Sequence, residues 1–324
     1  MKKFNILAHT ALGAAIAALV GSAGIANATE PCGDFGECKV LVEINSTDGD
    51  VGFHFLMDGD DLRYGALFNP KKRKIYSYGA RREMAKQFVT ETFNESAEPL
   101  CWHPEPEDDE YGEDVVTLEE FIDRWYDGTY RFFGIGAGWD LSFGESELTF
   151  DLPAAPTELD WVVEEDEHEP GEYEYEITWE AGDDLGECAD RDEVLELLAE
   201  GILPSDPYDE VTVAAWEVVL EPDVDDGDPL GAMKYVVRIP GDADEFEVEV
   251  PDDYLEALGE ENVPAKIEIG AIGAGENATF TEIDEICLND TNPAGSLAPD
   301  PEDPEEEILL NGCEFEVEEE DGED

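Results

Sequence analysis

The residues of this chain best suited to chemistry are aspartates that alternate with glycine in short segments. Asp48-Gly49-Asp50 precedes an alternating apolar run at residues 51–57, Asp58-Gly59-Asp60-Asp61 follows it, and a third segment covers residues 223–228. Carboxylate oxygens that converge in a turn are ligands that Ca2+ prefers. We therefore predict calcium as the cofactor, with these candidate ligands: Asp48, Asp50, Asp58, Asp60, Asp61, Asp223, Asp225, Asp226 and Asp228.

The aspartate segments also have a purely structural interpretation. None has the spacing of an EF-hand loop, and aspartate and glycine are the ordinary residues of acidic β-turns. Seven residues of strand span about 23 Å. The first two segments would therefore lie at opposite ends of one strand and form separate sites.

Eight basic residues form the second candidate site, because they interrupt an otherwise acidic chain. Two interpretations are open: they neutralise carboxylates of their own domain, or they dock an acidic partner. The partners that suit the second interpretation are a polysaccharide, a cell-surface protein or another copy of the chain associating head to tail. The eight residues are Arg63, Lys71, Lys72, Arg73, Lys74, Arg81, Arg82 and Lys86.

The net charge limits the classes of function. The chain has 17 Lys+Arg and 86 Asp+Glu, a net charge of −69. Nucleic acid is not expected as a partner, because binding to phosphates depends on Lys and Arg. A surface this acidic suits surroundings rich in cations, such as brine or a calcium-bearing cell surface.

Residues 1–28 have the pattern of a bacterial secretory signal peptide. Lys2 and Lys3 precede an apolar run that ends at Ala26-Asn27-Ala28, which matches the small-residue rule for cleavage. Removal of two lysines leaves a net charge of −71 on the exported part. No later segment approaches 18 consecutive apolar residues, so we expect no membrane insertion after cleavage. The predicted location is secreted or periplasmic.

All six cysteines lie in the exported part, which favours up to three disulfides in an oxidising compartment. Cys32 and Cys38 could close a small loop, and the other pairings are open. Short alternating apolar segments between Gly, Pro and Asp predict an all-β fold with two β-sandwich domains. The predicted division is an N-terminal β-rich domain at 29–152, a second domain at 153–288 and an acidic, largely disordered tail at 289–324.

The second domain resembles a fibronectin type III domain, on seven alternating segments with tryptophans in the first two. The resemblance implies an immunoglobulin-like sandwich with Trp179 as the core tryptophan of its second strand. Two differences from the family are a missing tyrosine before the sixth strand and a helical insertion at residues 192–200. The seven segments are residues 156–161, 173–179, 216–220, 234–239, 246–250, 265–272 and 278–283.

Catalytic signals are sparse. The glycines from Gly134 to Gly138 precede an alternating segment rather than a helix, which favours a hairpin over a dinucleotide site. No G-x-S-x-G motif is present, and no carboxylate pair stands out among so many. We therefore expect a non-enzymatic binding or adhesion protein of a bacterial cell surface or periplasm. The alternatives are a self-associating structural subunit and a carbohydrate-active enzyme with an appended fibronectin type III-like domain.

Overall fold

The computed structural model describes residues 32–102, 115–165, 173–224, 228–243, 245–259, 264–286, 297–299 and 307–309. These residues are mostly in β-strands, which confirms the all-β fold class. The strands are β1 (Glu37–Asn45), β2 (Asp50–Phe68), β3 (Lys74–Gly79), β4 (Val89–Glu95), β5 (Gly128–Gly136), β6 (Leu141–Leu148), β7 (Pro156–Glu165), β8 (Tyr173–Ala181), β9 (Val213–Pro222), β10 (Tyr235–Pro240), β11 (Glu247–Glu249), β12 (Ala265–Gly273), β13 (Ala278–Ile286), β14 (Leu297–Pro299) and β15 (Glu307–Leu309). The helices are α1 (Met84–Gln87), α2 (Leu118–Arg124), α3 (Arg191–Glu200) and α4 (Asp252–Gly259). No helix in these ranges is long and apolar enough to cross a membrane.

One large sheet runs through both halves of the chain. Its strand order is β10-β9-β12-β13-β1-β2-β5-β6, and β3 and β4 also pair with β2. The connection between the halves is a parallel pairing of β1 with β13, from Glu43 opposite Ala278 to Asn45 opposite Phe280. The domain division at residue 152 stays a prediction, but the two halves share backbone hydrogen bonds.

The buried apolar residues form two main clusters. The first contains Phe53 and Phe132 of the N-terminal half, and the second contains Trp179, Trp216 and Ile269 of the C-terminal half. Each follows from alternation, since every second residue of a strand points to the same face of its sheet. The clusters therefore give each half a core of its own.

The predicted helical insertion lies between β8 and β9, where α3 is found. Its start is a capping box between Asp190 and Glu193, and Gly201 ends it in the left-handed conformation. The insertion packs on the first cluster, because Val194 and Leu203 belong to that core. The insertion therefore packs against the N-terminal half of the chain, although it belongs to the C-terminal half in sequence.

All seven strand segments of the second half form strands, β7 to β13. They divide into a three-stranded sheet, β11-β8-β7, and the run β10-β9-β12-β13 of the large sheet. Trp179 is 3% exposed and its ring centroid lies 6.0 Å from that of Trp216 on β9. Apolar side chains of both sheets thus meet in one sandwich core.

The predicted acidic turn at residues 58–61 is wrong. The strand expected to end at Met57 continues as β2 to Phe68, so the segment lies inside a strand. The pairing register with β4 shifts between Asp58 and Leu62, and Asp61 has φ 53°. A local irregularity accommodates the aspartates while β2 continues beside new partners.

Two disulfides lie within the described residues. Cys32 pairs with Cys38, which confirms the small N-terminal loop, and Cys101 pairs with Cys188. Cys287 and Cys313 lie outside the described residues. Within the tail, β14 and β15 pair as a two-stranded sheet, and the largely disordered character of the tail stays a prediction. The remainder of the tail lies outside the described ranges.

Candidate binding surface

The first predicted calcium segment is the turn between β1 and β2. Asp48 accepts a hydrogen bond from Asn45 Nδ2 at 3.3 Å, and Gly49 has φ 72°. Asp50 begins β2, where burial, followed by the charge of Glu98, raises its pKa to about 7. Asp50 of this turn therefore lies close enough to Glu98 for the two carboxylates to interact.

The other predicted ligands are dispersed. Asp58, Asp60 and Asp61 lie further along β2. The first of them, Asp58, is eight residues after Asp50. Asp228 caps a short 3-10 helix, since its Oδ1 accepts from Leu230 N at 2.8 Å. Asp223 follows β9, while Asp225 and Asp226 lie outside the described residues. Within the described part, none of the nine belongs to a three-residue group with metal-ligand spacing. Calcium at these residues stays a prediction.

The group that does have such spacing is Glu43, His54 and Glu98, with ligand atoms within 4.8 Å of one another. His54 is 1% exposed. Its Nε2 lies 3.0 Å from Glu98 Oε1, and its Nδ1 lies 3.8 Å from Glu43 Oε2. Because one carboxylate lies near each ring nitrogen, the arrangement suits an imidazolium that donates a hydrogen bond to Glu98 and is attracted by the charge of Glu43. It joins β1, β2 and the segment after β4.

The ionisation of this group reflects its burial. Burial raises the pKa of Glu43 to about 7, although the charge of His54 partly opposes the rise. For His54 burial lowers the pKa, but the hydrogen bond to Glu98 and the charge of Glu43 exceed that effect and leave it raised. His54 belongs to the alternating run at residues 51–57, which by itself predicts an ordinary strand residue. Only the register, which places Leu41 opposite His54, brings Glu43 to the same face.

The eight basic residues differ from the other cations of the chain. Among the described residues, none of the eight has a carboxylate oxygen within 4.0 Å of a side-chain nitrogen. Six of the seven other cations between residues 29 and 324 do form such ion pairs, the exception within the described residues being Arg124. Seven of the eight are exposed, and Arg63 is half-buried. The paired cations are Lys39, Arg131, Arg191, Lys234, Arg238 and Lys266.

The eight residues occupy both ends of the β2–β3 hairpin. Residues 71–74 form its turn and the start of β3. Arg81, Arg82 and Lys86 follow the end of β3, and Arg63 lies beside them on β2, where its carbonyl oxygen accepts a hydrogen bond from Ala80 N. The six residues of β3 separate the two groups by about 17 Å. Instead of carboxylates, three of these cations contact rings: Lys71 Nζ lies 3.0 Å from the centroid of Tyr126, and Arg63 and Lys74 lie 5.0 Å and 6.0 Å from Phe88 and Tyr64.

Half-buried and exposed aromatic and apolar side chains lie beside this hairpin, on β2, β5, β6 and the turn between β5 and β6. The pairing of β5 with β6 places Phe133 opposite Phe143. The Phe133 ring lies 5.4 Å from that of Phe143 and 6.3 Å from that of Tyr64. Phe143 and Leu141 are each 55% exposed, and Trp139 at the hairpin tip is 74% exposed. Exposed apolar groups that lie together commonly mark an interaction surface.

Tyr64 connects the two features. Its hydroxyl lies 3.3 Å from Lys74 Nζ, and its ring lies against Phe133. We name the combined surface the aromatic–cationic face: the eight basic residues together with Tyr64, Phe133, Trp139, Leu141 and Phe143. Sequence reasoning identified the cations and the β5–β6 hairpin but not this aromatic part, because alternation does not say which side of a sheet remains uncovered.

A cleft of about 660 Å³ borders the cationic part at Lys71. It lies between α2, β6 and the end of α3. Its charged lining is otherwise acidic: Glu119, Asp123, Asp127, Glu147 and Asp151. Because these carboxylates repel anions, the cleft limits an anionic ligand to the hairpin side of Lys71.

Comparisons with known proteins give no family. No protein-family model matches the chain, and no curated protein matches it. Among solved structures, the chain is similar to one described as giving structural insight into host cell surface retention of a 1.5-MDa bacterial ice-binding adhesin. The two sequences are 10% identical, the TM-score is 0.20, and the match covers 79% of this chain and 64% of that chain. A DUF3823 family protein from Parabacteroides merdae is 9% identical with a TM-score of 0.22, covering 76% and 98%. A tetra-tandem repeat in the extending region of a large adhesion protein is 9% identical with a TM-score of 0.18, covering 76% and 48%. The chain thus spans less than two thirds of both adhesion proteins.

Proposed function

We propose that the chain is an exported, non-catalytic binding or adhesion protein, and that the aromatic–cationic face is its binding surface. The observation that carries the proposal is the coincidence of two exceptions on one surface. Among the residues that the structure describes, cations without ion pairs lie beside exposed aromatic side chains, whereas six of the seven other cations between residues 29 and 324 are paired.

Both exceptions leave interactions that a partner can supply. Exposed aromatic rings keep apolar area in contact with water, at about 25 cal/mol per Å². Within the described part of the chain, the eight cations have no carboxylate partner, so an anionic ligand would have no internal ion pair to displace there. A partner that covers the rings and supplies anions satisfies both groups at once.

An extracellular or periplasmic location supports this function. The disulfides Cys32–Cys38 and Cys101–Cys188 need an oxidising compartment to form and persist. The predicted signal peptide would deliver the chain there. A binding surface with this exposure would then face cell-surface or matrix material.

We also propose that the C-terminal half is a fibronectin type III-like module that supports the binding half. Three features support this: its seven strands, its division into two sheets, and the buried Trp179 on its second strand. In immunoglobulin-like sandwiches the second and fifth strands share one sheet while the third, sixth and seventh share the other, as β8 and β11 and β9, β12 and β13 do here. Such a module supplies rigidity rather than chemistry.

The test is retention of the exported chain, residues 29–324, on immobilised neutral glycans, anionic glycans, matrix proteins and the chain itself. The variant Leu141→Ser/Phe143→Ser removes exposed apolar side chains from the face. The matched control is Leu195→Ser/Tyr208→Ser, at side chains 46% and 57% exposed elsewhere. We expect the first variant to lose retention and the control to keep it.

Two results would contradict the proposal. One is an absence of retention on every support, and the other is equal retention of both variants. Retention on the chain itself alone, lost in the face variant, would instead identify the self-associating subunit.

A further inference from the structure

We propose, on the basis of the function proposed above, that the ligand of the aromatic–cationic face is a linear anionic polysaccharide. Its sugar rings would lie over the aromatic side chains, and its carboxylate or sulfate groups would contact the cations of the β2–β3 hairpin. The inference rests on the arrangement of charges and rings on one surface.

The spacing of the cations favours a polymer over a compact anion. The group at residues 71–74 and the group of Arg63, Arg81, Arg82 and Lys86 lie about 17 Å apart along β3. A single phosphate or carboxylate reaches only one group. A chain with a charge on successive sugars contacts both.

The aromatic part supplies the contact that sugars use. A pyranose ring has an apolar face of C–H groups and a polar rim, so it packs on an aromatic ring while its substituents stay hydrated. Phe143 and Trp139 present such rings with more than half of their surface exposed. Lys74 Nζ lies 3.3 Å from Tyr64 Oη, so a sugar over Tyr64 would place its anionic group beside an ammonium.

Binding at these cations breaks no ion pair among the residues that the structure describes. In contrast, Arg131 lies on a neighbouring strand but is already paired with Glu145 at 2.9 Å. A ligand anion would compete with that carboxylate at Arg131 but not at Lys71, Lys72 or Arg73. The hairpin is therefore the favoured position for anions.

A second copy of the chain suits the face less well. The second copy and the first would each have a net charge of −71 and would repel each other. Only those acidic groups of the second copy that lie within a Debye length of about 8 Å of the cations would be attracted to them. A polysaccharide strand is thin, so its attractive charges reach the hairpin without a large acidic body behind them.

The experiment measures the affinity of the exported chain for heparin oligosaccharides, hyaluronan and uncharged dextran by calorimetry at low and high NaCl. The variant Lys71→Gln/Arg73→Gln/Lys74→Gln removes three unpaired cations. The control Lys39→Gln/Arg131→Gln/Arg238→Gln removes three cations that are ion-paired, so it changes the net charge equally. Thermal melts establish that each variant is folded.

We expect binding to at least one anionic glycan, no binding to dextran, and weakening by salt. The hairpin variant should bind on the order of tenfold more weakly, as three exposed charge contacts of about 0.5 kcal/mol each would give, and the control within about twofold. Equal binding to dextran, equal affinity of the two variants, or binding only between copies of the chain would overturn the inference. The proposed function would still hold if the exported chain is retained on neutral glycans or proteins and Leu141→Ser/Phe143→Ser abolishes that retention. Failure of the polysaccharide inference can therefore be distinguished from failure of the proposed function.

Discussion

The Cys101–Cys188 disulfide should be one of the largest single contributions to stability. It joins the segment after β4 to the turn before α3, across 87 residues of sequence. In the chain-entropy model, closing a loop of this length destabilises the unfolded state by about 4.6 kcal/mol. The bond also holds the helical insertion, whose Leu185 and Val194 are buried in the first cluster, against the N-terminal core.

Cys32–Cys38 is a matched comparison within the same protein. Its sequence separation is 6, for which the same model gives about 2.4 kcal/mol. The four cysteines are between 4% and 8% exposed, so the packing lost on substitution is similar for both pairs. The difference between the pairs, about 2 kcal/mol, therefore isolates the effect of loop length.

The assay is equilibrium unfolding in urea, followed by tryptophan fluorescence at constant ionic strength. Both double Cys→Ala variants are made in a background where Cys287 and Cys313 are also alanine, so that free thiols cannot exchange. We expect Cys101→Ala/Cys188→Ala to lower the free energy of unfolding by about 2 kcal/mol more than Cys32→Ala/Cys38→Ala. Equal losses, or a larger loss from the short loop, would refute the loop-entropy reasoning for this chain.

Two further predictions concern a buried carboxylate and two glycines. Because burial raises the pKa of Glu43 to about 7, above its unfolded value of 4.5, its ionisation should reduce stability as the pH rises between these values. Glu43→Gln should therefore be more stable than the wild type at pH 8, by up to about 3 kcal/mol, and nearly as stable as it at pH 4.5. Urea unfolding measures both differences, and a less stable Glu43→Gln variant at pH 8 would contradict the argument. Gly182→Ala should cost at least about 2 kcal/mol in the same assay, because its Cβ would collide with the backbone oxygen of Ala155. Gly201 has φ 75°, but the space around an added Cβ is open, so Gly201→Ala should lower the free energy of unfolding by only about 1 kcal/mol. A larger loss of stability at Gly201 than at Gly182 would be inconsistent with this packing.

Strand positions were predictable where alternation was regular. The alternating run at residues 51–57 lies within β2, and the seven segments between residues 156 and 283 became β7 to β13. Prediction was wrong at Asp58–Asp61, where turn residues occur inside β2. Aspartate and glycine indicate a turn locally, but β2 pairs with β1, β3, β4 and β5, and those ladders outweigh the local preference.

The candidate surface divides in the same way. The cations between Arg63 and Lys86 are visible in sequence because they interrupt a run of acidic residues. Their lack of ion pairs is not visible, because it depends on which carboxylates lie near them in space. The aromatic part was missed because Phe133 and Phe143 are ordinary strand residues until the sheet leaves their side uncovered.

The sequence by itself thus determined the charge, the all-β class and the positions of most strands, since composition and two-residue periodicity are local properties. Only the tertiary structure decided the rest. Long-range pairing places β13 beside β1, and α3 packs on the first cluster through Val194. The same pairing brought Glu43 to His54 and Tyr64 to Phe133. These contacts join residues far apart in the chain, and their energies depend on burial and distance, which no local pattern of residues records.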